Sequence, residues 1–95
     1  MAAYMIARVS VTDPEQYERY KALSPGAISK YGGEFIARGG ETETLEGDDE
    51  TSRVVIVRFP DMEAARTAYH SPEYTAAKAE REGAADAQFI IVDGV

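Results

Sequence analysis

Residues 52–60, with the sequence SRVVIVRFP, form a predicted β-strand that is apolar on both of its faces. The two faces carry Val55, Val57 and Phe59 on one side and Val54 and Ile56 on the other. Residues 87–93, AQFIIVD, show the same two-sided pattern. Because a sheet face in contact with water is normally polar, these two segments predict a sheet that is covered on both faces.

Two more strands are predicted from the spacing of apolar side chains. Residues 3–11, AYMIARVSV, alternate along the chain as a strand does. Residues 34–46 begin EFIARGG, and the pair Gly39-Gly40 favours a bend or bulge within this strand. The turn at residues 47–50 makes it the hairpin partner of the SRVVIVRFP strand.

A long helix is predicted to begin at Asp13-Pro14. Asp13 can cap the helix, Pro14 occupies the first position, where its missing N–H costs nothing, and Gln16 can close a capping box. One stripe of side chains at spacings of three and four is expected to face the core: Tyr17, Tyr20, Ser24, Ala27, Ile28 and Tyr31. Pro25 predicts a kink or two abutting helices, and the glycine pair at 32–33 predicts the helix end.

Two shorter helices are predicted between the last two strands. Asp61 can cap the first of them, and Ser71-Pro72 repeats the cap-plus-proline signal for the second. The second helix extends to about Arg81, and Gly83 closes it.

The resulting order, β-α-β-β-α-β, predicts a ferredoxin-like fold of the α+β class in one domain of residues 1–95. Right-handed crossovers then give a four-stranded antiparallel sheet with the helices on one face. We expect the helices to cover the wholly apolar set of strand positions: Met5, Ala7, Val9, Phe35, Ala37, Val55, Val57 and Phe59.

The opposite face of this sheet is also apolar. It is expected to carry Ile6, Ile36, Val54, Ile56, Ile90 and Val92, beside Tyr4, Arg8, Arg38 and Arg58. Four strands cover roughly 350 Å², about the size at which an exposed apolar patch marks an interaction site. We therefore predict a two-fold homodimer with the sheets face to face. The alternative is a monomer in which the short helix or a loop covers this face.

Charge argues against two classes of partner. The chain carries 10 basic and 17 acidic residues, a net charge of −7, and six of the acids lie within residues 41–50. The spacing of this acidic run does not match a calcium-binding loop, so a solvated hairpin tip is expected. Nucleic-acid binding needs a basic face, and none is visible in the sequence. Neither nucleic acid nor an anionic membrane surface is an expected partner.

The chain has no cysteine and a single histidine. This composition excludes disulfides, thiolate metal sites and a cysteine nucleophile, and we expect no metal, haem or other cofactor. No apolar run reaches the roughly 18 residues of a membrane span, and the N-terminus lacks the pattern of a signal peptide. A cytoplasmic location is expected.

Several segments resemble the DUF1330 family of small proteins. They are TDPEQY, KYGGEFIARGG, LEG, RVVIVRFPDMEAARTAYHSPEY and IIVDG, which together extend over nearly the whole chain. The resemblance implies a homodimer of ferredoxin-like protomers of the dimeric α+β barrel type, with a pocket between sheet and helices. It implies no reaction, because the function of the family is unknown. Fold relatives include cofactor-free monooxygenases and muconolactone isomerases, but fold does not fix function.

Arg38 and His70 are candidate residues for such a pocket. Arg38 adjoins Gly39-Gly40, where small residues let a ligand approach, and its guanidinium can clamp a carboxylate or enolate. The alternative is an ion pair in the dimer interface with an acid of residues 41–50. His70 is the one side chain that titrates near neutrality, and it lies at a helix end. There it can serve as a base, or it can cap the helix at the surface.

Tyr20 and Tyr74 are candidate ligand contacts within a set of five helical tyrosines. Their hydroxyls could bind a polar aromatic molecule, although a tyrosine stripe at helical spacing more often belongs to the core. Lys78 and Arg81 lie on the short helix and are expected to be solvated.

Three functions follow as hypotheses. The first is a homodimer that binds a small organic molecule between sheet and helices. The second is a non-catalytic structural or stress-related dimer whose interior is filled by its own side chains. The third is a cofactor-free monooxygenase or isomerase, with Arg38 as the electrophilic clamp and His70 or a tyrosine transferring the proton.

Overall fold

The computed structural model describes residues 1–95 and contains four strands and three helices. In chain order these are β1 (Ala3–Val11), α1 (Pro14–Lys30), β2 (Glu34–Arg38), β3 (Arg53–Phe59), α2 (Met62–Tyr69), α3 (Pro72–Arg81) and β4 (Ala85–Asp93). The strands form one antiparallel sheet in the order β2-β3-β1-β4. The predicted ferredoxin-like arrangement is confirmed, with the second helical segment in two pieces.

The three helices begin at the residues that the sequence indicated. The side chains of Asp13, Asp61 and Ser71 each accept a hydrogen bond from a backbone N–H three residues further on. The capping box expected at Gln16 is absent. Its side-chain nitrogen instead donates to the carbonyl oxygens of Glu80, at 3.1 Å, and Glu82, at 2.9 Å. Gln16 therefore joins the start of α1 to the end of α3.

Pro25 does not divide α1, so of the two expected outcomes, a kink or two abutting helices, the second is wrong. The helix is continuous from Pro14 to Lys30. Its buried residues are five of the six in the predicted stripe, Tyr17, Tyr20, Ser24, Ala27 and Ile28, and the sixth, Tyr31, is half-buried at the C-cap. Because this stripe continues past Pro25 on the same face, burial of both halves outweighs the lost hydrogen bond of the proline.

A cluster of polar contacts joins the end of α1 to the start of α3. The Glu73 carboxylate accepts hydrogen bonds from the Lys30 ammonium and, at 2.7 Å, from the Tyr31 hydroxyl. Since Gln16 joins the opposite ends of the two helices, α1 and α3 pack antiparallel and are tied at both ends.

The helices cover the sheet face that the sequence favoured. Met5, Ala7, Val9, Val57 and Phe59 are buried there. Phe35 and Val55 are half-buried and pack against this core.

Ala37 is the exception on this face, because β2 contains a bulge. Phe35 pairs with Val57, but Ala37 pairs with Ile56, so Ile36 is the extra residue. After the bulge the two faces are exchanged, and Ala37 joins the outer face of the sheet instead of the inner one.

β2 is also shorter than expected. It ends at Arg38, and residues 39–52 form a loop without regular secondary structure. Most side chains of the acidic run in this loop are exposed. Glu50 is anchored, because its carboxylate accepts a hydrogen bond at 3.0 Å from Arg8 on the outer sheet face.

The outer face of the sheet has no second layer within this chain. The molecule measures only 16 Å along its shortest axis. Ile36, Ile90 and Val92 on this face are about half exposed, at 51%, 50% and 46%. In register, Ile6 lies between Ile56 and Ile90, which makes an apolar row across three strands.

The Glu73 cluster predicts a pH dependence of stability. Its hydrogen bonds from Lys30 and Tyr31 lower the pKa of Glu73 from its ordinary value of 4.5 to about 2. A lowered carboxyl pKa stabilises the fold above the unfolded-state pKa, and this contribution is lost as the pH falls toward the folded-state pKa. We expect Glu73→Gln to lower the unfolding temperature at pH 7, and the difference from wild type to shrink below pH 4.5 and vanish near pH 2.

Thermal unfolding monitored by circular dichroism at stepped pH measures this effect. Glu63→Gln is the matched control, because Glu63 is likewise the second residue of its helix, is exposed and makes no side-chain hydrogen bond or ion pair. A constant difference between wild type and Glu73→Gln from pH 7 to pH 2 would contradict the assignment.

Candidate functional site

A cleft lies between the inner face of the sheet and α1. Its walls are mostly apolar and include Met5, Ala7, Val9, Val55 and Val57 from the sheet. The helices contribute Tyr17, Tyr20, Ser24, Ile28 and Tyr74. This is the position expected for a pocket between sheet and helices, and it contains three of the five helical tyrosines.

Three basic side chains, Lys21, Arg38 and Arg53, line the same cleft, and no acidic side chain does. Lys21 is paired with Glu18 at 3.0 Å on the surface of α1. Arg38 lies over the Phe35 ring, 4.5 Å from its centre. The cleft therefore combines an apolar interior with a cationic border, in a chain whose net charge is −7.

The bulge in β2 directs Arg38 toward this cleft. Simple alternation from Phe35 placed Arg38 on the outer face, whereas the bulge pairs it with Val55 on the inner face. Within one chain Arg38 makes no ion pair with the acidic run, whereas Arg8 pairs with Glu50; the alternative of an ion pair across a dimer interface stays a prediction. The structure thus brings Arg38 to the predicted pocket and corrects the face on which it lies.

Arg53 was not predicted as a site residue, and it adjoins Gly39. Gly39 has a φ of +71°, and a Cβ at this position would lie 2.4 Å from Nη1 of Arg53. The glycine therefore provides both the left-handed backbone and the space for the Arg53 guanidinium. The signal in the sequence is the alternation along β3. Arg53 is two and four positions before Val55 and Val57, so its side chain lies on the same inner face.

Tyr20 and Tyr74 come together at the back of the cleft. Their hydroxyl oxygens are 2.5 Å apart. Burial, with a further contribution from neighbouring Tyr20, raises the pKa of both Tyr74 and Tyr17. These two hydroxyls therefore stay protonated at neutral pH and act as hydrogen-bonding groups, not as bases.

Arg81 is buried behind this tyrosine pair, contrary to the expectation that it is solvated. Only 8% of Arg81 is exposed, and one of its nitrogens lies 3.4 Å from the Tyr74 hydroxyl. Its guanidinium also stacks 5.0 Å from the Tyr20 ring and 4.4 Å from the Phe89 ring. The spacing of Tyr74, Ala77 and Arg81 along α3, at three and four residues, was the signal that could have placed Arg81 inside.

His70 is not part of the cleft. It is exposed at the C-cap of α2, with its ring edge-on to Tyr69 at 5.3 Å. It borders a separate hollow of about 120 Å³ between α2 and β4. Arg38, Tyr20 and Tyr74 are thus brought together in the cleft, and His70 is not.

Lys78, which was expected to be solvated, is half-buried and lies over the Tyr69 ring at 4.5 Å.

The cleft is narrow. Its enclosed space is about 30 Å³, enough for about two water molecules, and the empty space is about 470 Å³ when the mouth open to solvent is included. Ligand pockets usually measure about 300–1,000 Å³. A ligand of one aromatic ring would have to displace the long side chains of Lys21 and Arg38 at the mouth.

No group of three histidine, cysteine, aspartate or glutamate side chains converges anywhere in the structure as a metal site would require. Likewise, none of the three helices has the length and apolar character needed to cross a membrane.

Comparison with known proteins places the chain in a family. The DUF1330 profile, described as a domain of unknown function, matches residues 2–95. The chain belongs to the DUF1330 family. The resemblance noted in the sequence is therefore confirmed. No protein of curated function matches the chain.

Solved structures with the same fold include proteins of known and unknown activity. A protein of unknown function from Rhodopseudomonas palustris is 22% identical, with a TM-score of 0.80 over 99% of this chain and 82% of that one. A dimeric ferredoxin-like protein of unknown function from Jannaschia sp. is 13% identical, with a TM-score of 0.74 over 99% and 100% of the two chains. SnoaB, a cofactor-independent oxygenase from Streptomyces nogalater, is 19% identical, with a TM-score of 0.70 over 99% and 93%. At these identities the similarity establishes the fold alone.

The contact between Gly39 and Arg53 predicts the effect of a single added methyl group. We expect Gly39→Ala to lower the free energy of unfolding by about 1–2 kcal/mol, because alanine resists a left-handed backbone. The added Cβ also displaces the flexible end of Arg53. Urea unfolding measures the loss in the free energy of unfolding.

Substitutions of two other glycines in the same loop are the controls that separate the effect of backbone strain from that of the contact with Arg53. Gly40→Ala should be neutral, because Gly40 has no positive φ and nothing within 4 Å of an added Cβ. Gly47→Ala should show the strain alone, because Gly47 has a φ of +89° and open space around it. Equal stabilities of the Gly39→Ala and Gly40→Ala proteins would contradict the assignment.

Proposed function

We propose that this DUF1330 protein is a cytoplasmic homodimer that binds a small organic molecule in the cleft between its sheet and α1. The observation that carries the proposal is the convergence of Arg38, Arg53 and the Tyr20–Tyr74 pair on one apolar cleft. Pockets that recognise small molecules typically have this composition, with apolar walls and a few polar groups that fix orientation.

Binding without turnover is the form of this function that the cleft supports best. An isomerase or a cofactor-independent oxygenase must remove a proton from its substrate. The cleft contains no histidine or carboxylate, and two of its three tyrosines have a raised pKa. Catalysis is the second candidate, favoured by the fold shared with SnoaB. A structural dimer with a filled interior is the third, and the small enclosed volume favours it.

The homodimer in this proposal is supported by the outer face of the sheet. That face has an apolar row of Ile56, Ile6 and Ile90 and no second layer of the same chain to cover it. A second copy of the chain is the simplest partner for this face, because one two-fold contact then buries the outer faces of both copies. The dimeric ferredoxin-like protein from Jannaschia sp. has the same fold.

Fragment mapping by NMR tests the cleft. A library of small aromatic and aliphatic molecules of all charges should contain members that shift the amide signals of Ala7, Ser24 and Val55, which line the cleft. Arg38→Ala should weaken about tenfold those members that accept a hydrogen bond from its guanidinium, as expected when a charged hydrogen-bond donor is lost. Arg19→Ala is the matched control, because Arg19 is exposed on α1 and does not line the cleft.

The proposal fails if no molecule shifts the cleft amides, a result that would favour the structural dimer. Oxygen uptake or isomerisation of a molecule that does bind would support the second candidate instead.

Sedimentation equilibrium tests the homodimer. At micromolar concentration the wild type should have twice the protomer mass of 10.4 kDa. Ile90→Asp should shift it to the protomer, because it puts a charge within the apolar row of Ile56, Ile6 and Ile90. Leu23→Asp should leave the dimer intact, since Leu23 is similarly exposed, at 47%, but lies on α1. A wild-type protein that sediments as a monomer would exclude this assembly.

A further inference from the structure

We propose that the cleft selects organic anions, namely a planar single-ring carboxylate or enolate whose charge is held by Arg53 and Arg38. This inference rests on the proposed function, since it names the ligand class of the same cleft.

The ion pairs of the chain leave these two arginines uncompensated. The three pairs are Arg8–Glu50, Lys21–Glu18 and Lys30–Glu73. Neither Arg38 nor Arg53 takes part in one, although acids outnumber bases by 17 to 10 in the chain. An acidic protein that keeps two unpaired arginines beside one cleft, with no carboxylate lining it, has an electrostatic preference for an anion there.

Arg53 provides the sharper observation. Its Nε is the one buried side-chain nitrogen or oxygen in the protein without a hydrogen-bond partner. A buried donor of a charged group left unpaired costs free energy, so such groups normally have a partner. Once the side chains that shield this edge of the guanidinium move aside, a carboxylate against it would accept that hydrogen bond and a second one from the neighbouring Nη, in the bidentate geometry that arginine favours.

The backbone around the two arginines is specialised for this arrangement. The β2 bulge turns Arg38 to the inner face, and Gly39 beside it leaves the space that Arg53 occupies. A standard strand with a side chain at position 39 would have placed Arg38 outside and displaced Arg53. The bulge of β2 and the glycine that follows this strand therefore allow two guanidinium groups to lie at one cleft, Arg38 from β2 and Arg53 from β3.

The rest of the cleft requires an organic ligand, not an inorganic anion. Its interior consists of aliphatic and aromatic side chains, with the hydroxyls of Tyr20 and Tyr74 at the back. A flat ring is the shape that a narrow apolar cleft accepts once the long side chains of Lys21 and Arg38 move aside at the mouth, and its charged end then lies at the arginine border. Inorganic phosphate would meet the arginines but would bury none of the apolar wall.

Isothermal titration with benzoate and benzamide tests the inference, because the two probes share a ring and differ in charge. We expect the wild type to bind benzoate at least about tenfold more tightly than benzamide, and inorganic phosphate more weakly than either. Arg53→Gln should remove the preference by weakening benzoate alone. Arg19→Gln, on the exposed side of α1, should keep it.

The outcomes separate this inference from the proposed function. Equal affinity of the wild type for benzoate and benzamide, or full retention of the preference in Arg53→Gln, overturns the anion inference and leaves small-molecule binding intact. Binding of neither probe overturns the anion inference, and if the fragment mapping also shows no shifted cleft amide, it overturns the proposed function as well. If circular dichroism shows that Arg53→Gln does not fold, Arg38→Gln replaces it, since the exposed Arg38 side chain makes no hydrogen bond that folding requires.

Discussion

A sheet that is apolar on both faces but covered by helices on only one is the constraint on which this structure depends. The inner face buries Met5, Val9 and Phe59 beneath α1, α2 and α3. The outer face leaves isoleucines and valines about half exposed in a molecule only 16 Å thick. Burial of apolar surface dominates folding and association, so the same property that forms the core also favours a second copy. One face of the sheet is covered within the chain, and the other is not.

The basic border of the cleft comes from irregular backbone and regular alternation together. The bulge after Phe35 turns Arg38 to the inner face, and Gly39 leaves space for the Arg53 guanidinium. Arg53 itself reaches that face by the regular alternation of β3, which also places Val55 and Val57 there. Two neighbouring strands thus supply the arginines of a cationic cleft in an acidic protein. The acidic run meanwhile lies in the following loop, where Arg8 holds Glu50 on the other side of the sheet.

The polar groups behind the cleft limit its chemistry. Arg81 is almost fully buried, and in place of a carboxylate it has two aromatic rings and the Tyr74 hydroxyl. Its charge partly offsets the effect of burial on the pKa of Tyr74, which remains raised. The tyrosines therefore supply hydrogen bonds and shape. This is why the geometry supports recognition of a ligand more directly than proton abstraction from it.

The sequence by itself determined the elements, their order and the helix starts, because these depend on local features. Caps such as Asp13 and Ser71 act within three residues, and alternation along a strand is read from neighbours. Local signals did not decide the roles of Pro25 and Gln16. Burial of one continuous stripe keeps α1 unbroken at Pro25, and the Gln16 side chain bonds to α3 instead of closing a capping box. Of the four candidate site residues that the sequence offered, Arg38, Tyr20 and Tyr74 line the cleft and His70 does not. The sequence put Arg38 on the wrong face, did not offer Arg53, and predicted that the buried Arg81 is solvated. Only the tertiary structure decided these points, since a bulge reverses the side-chain parity of every later residue in its strand. Whether an arginine is buried depends in turn on which distant rings and backbone lie around it.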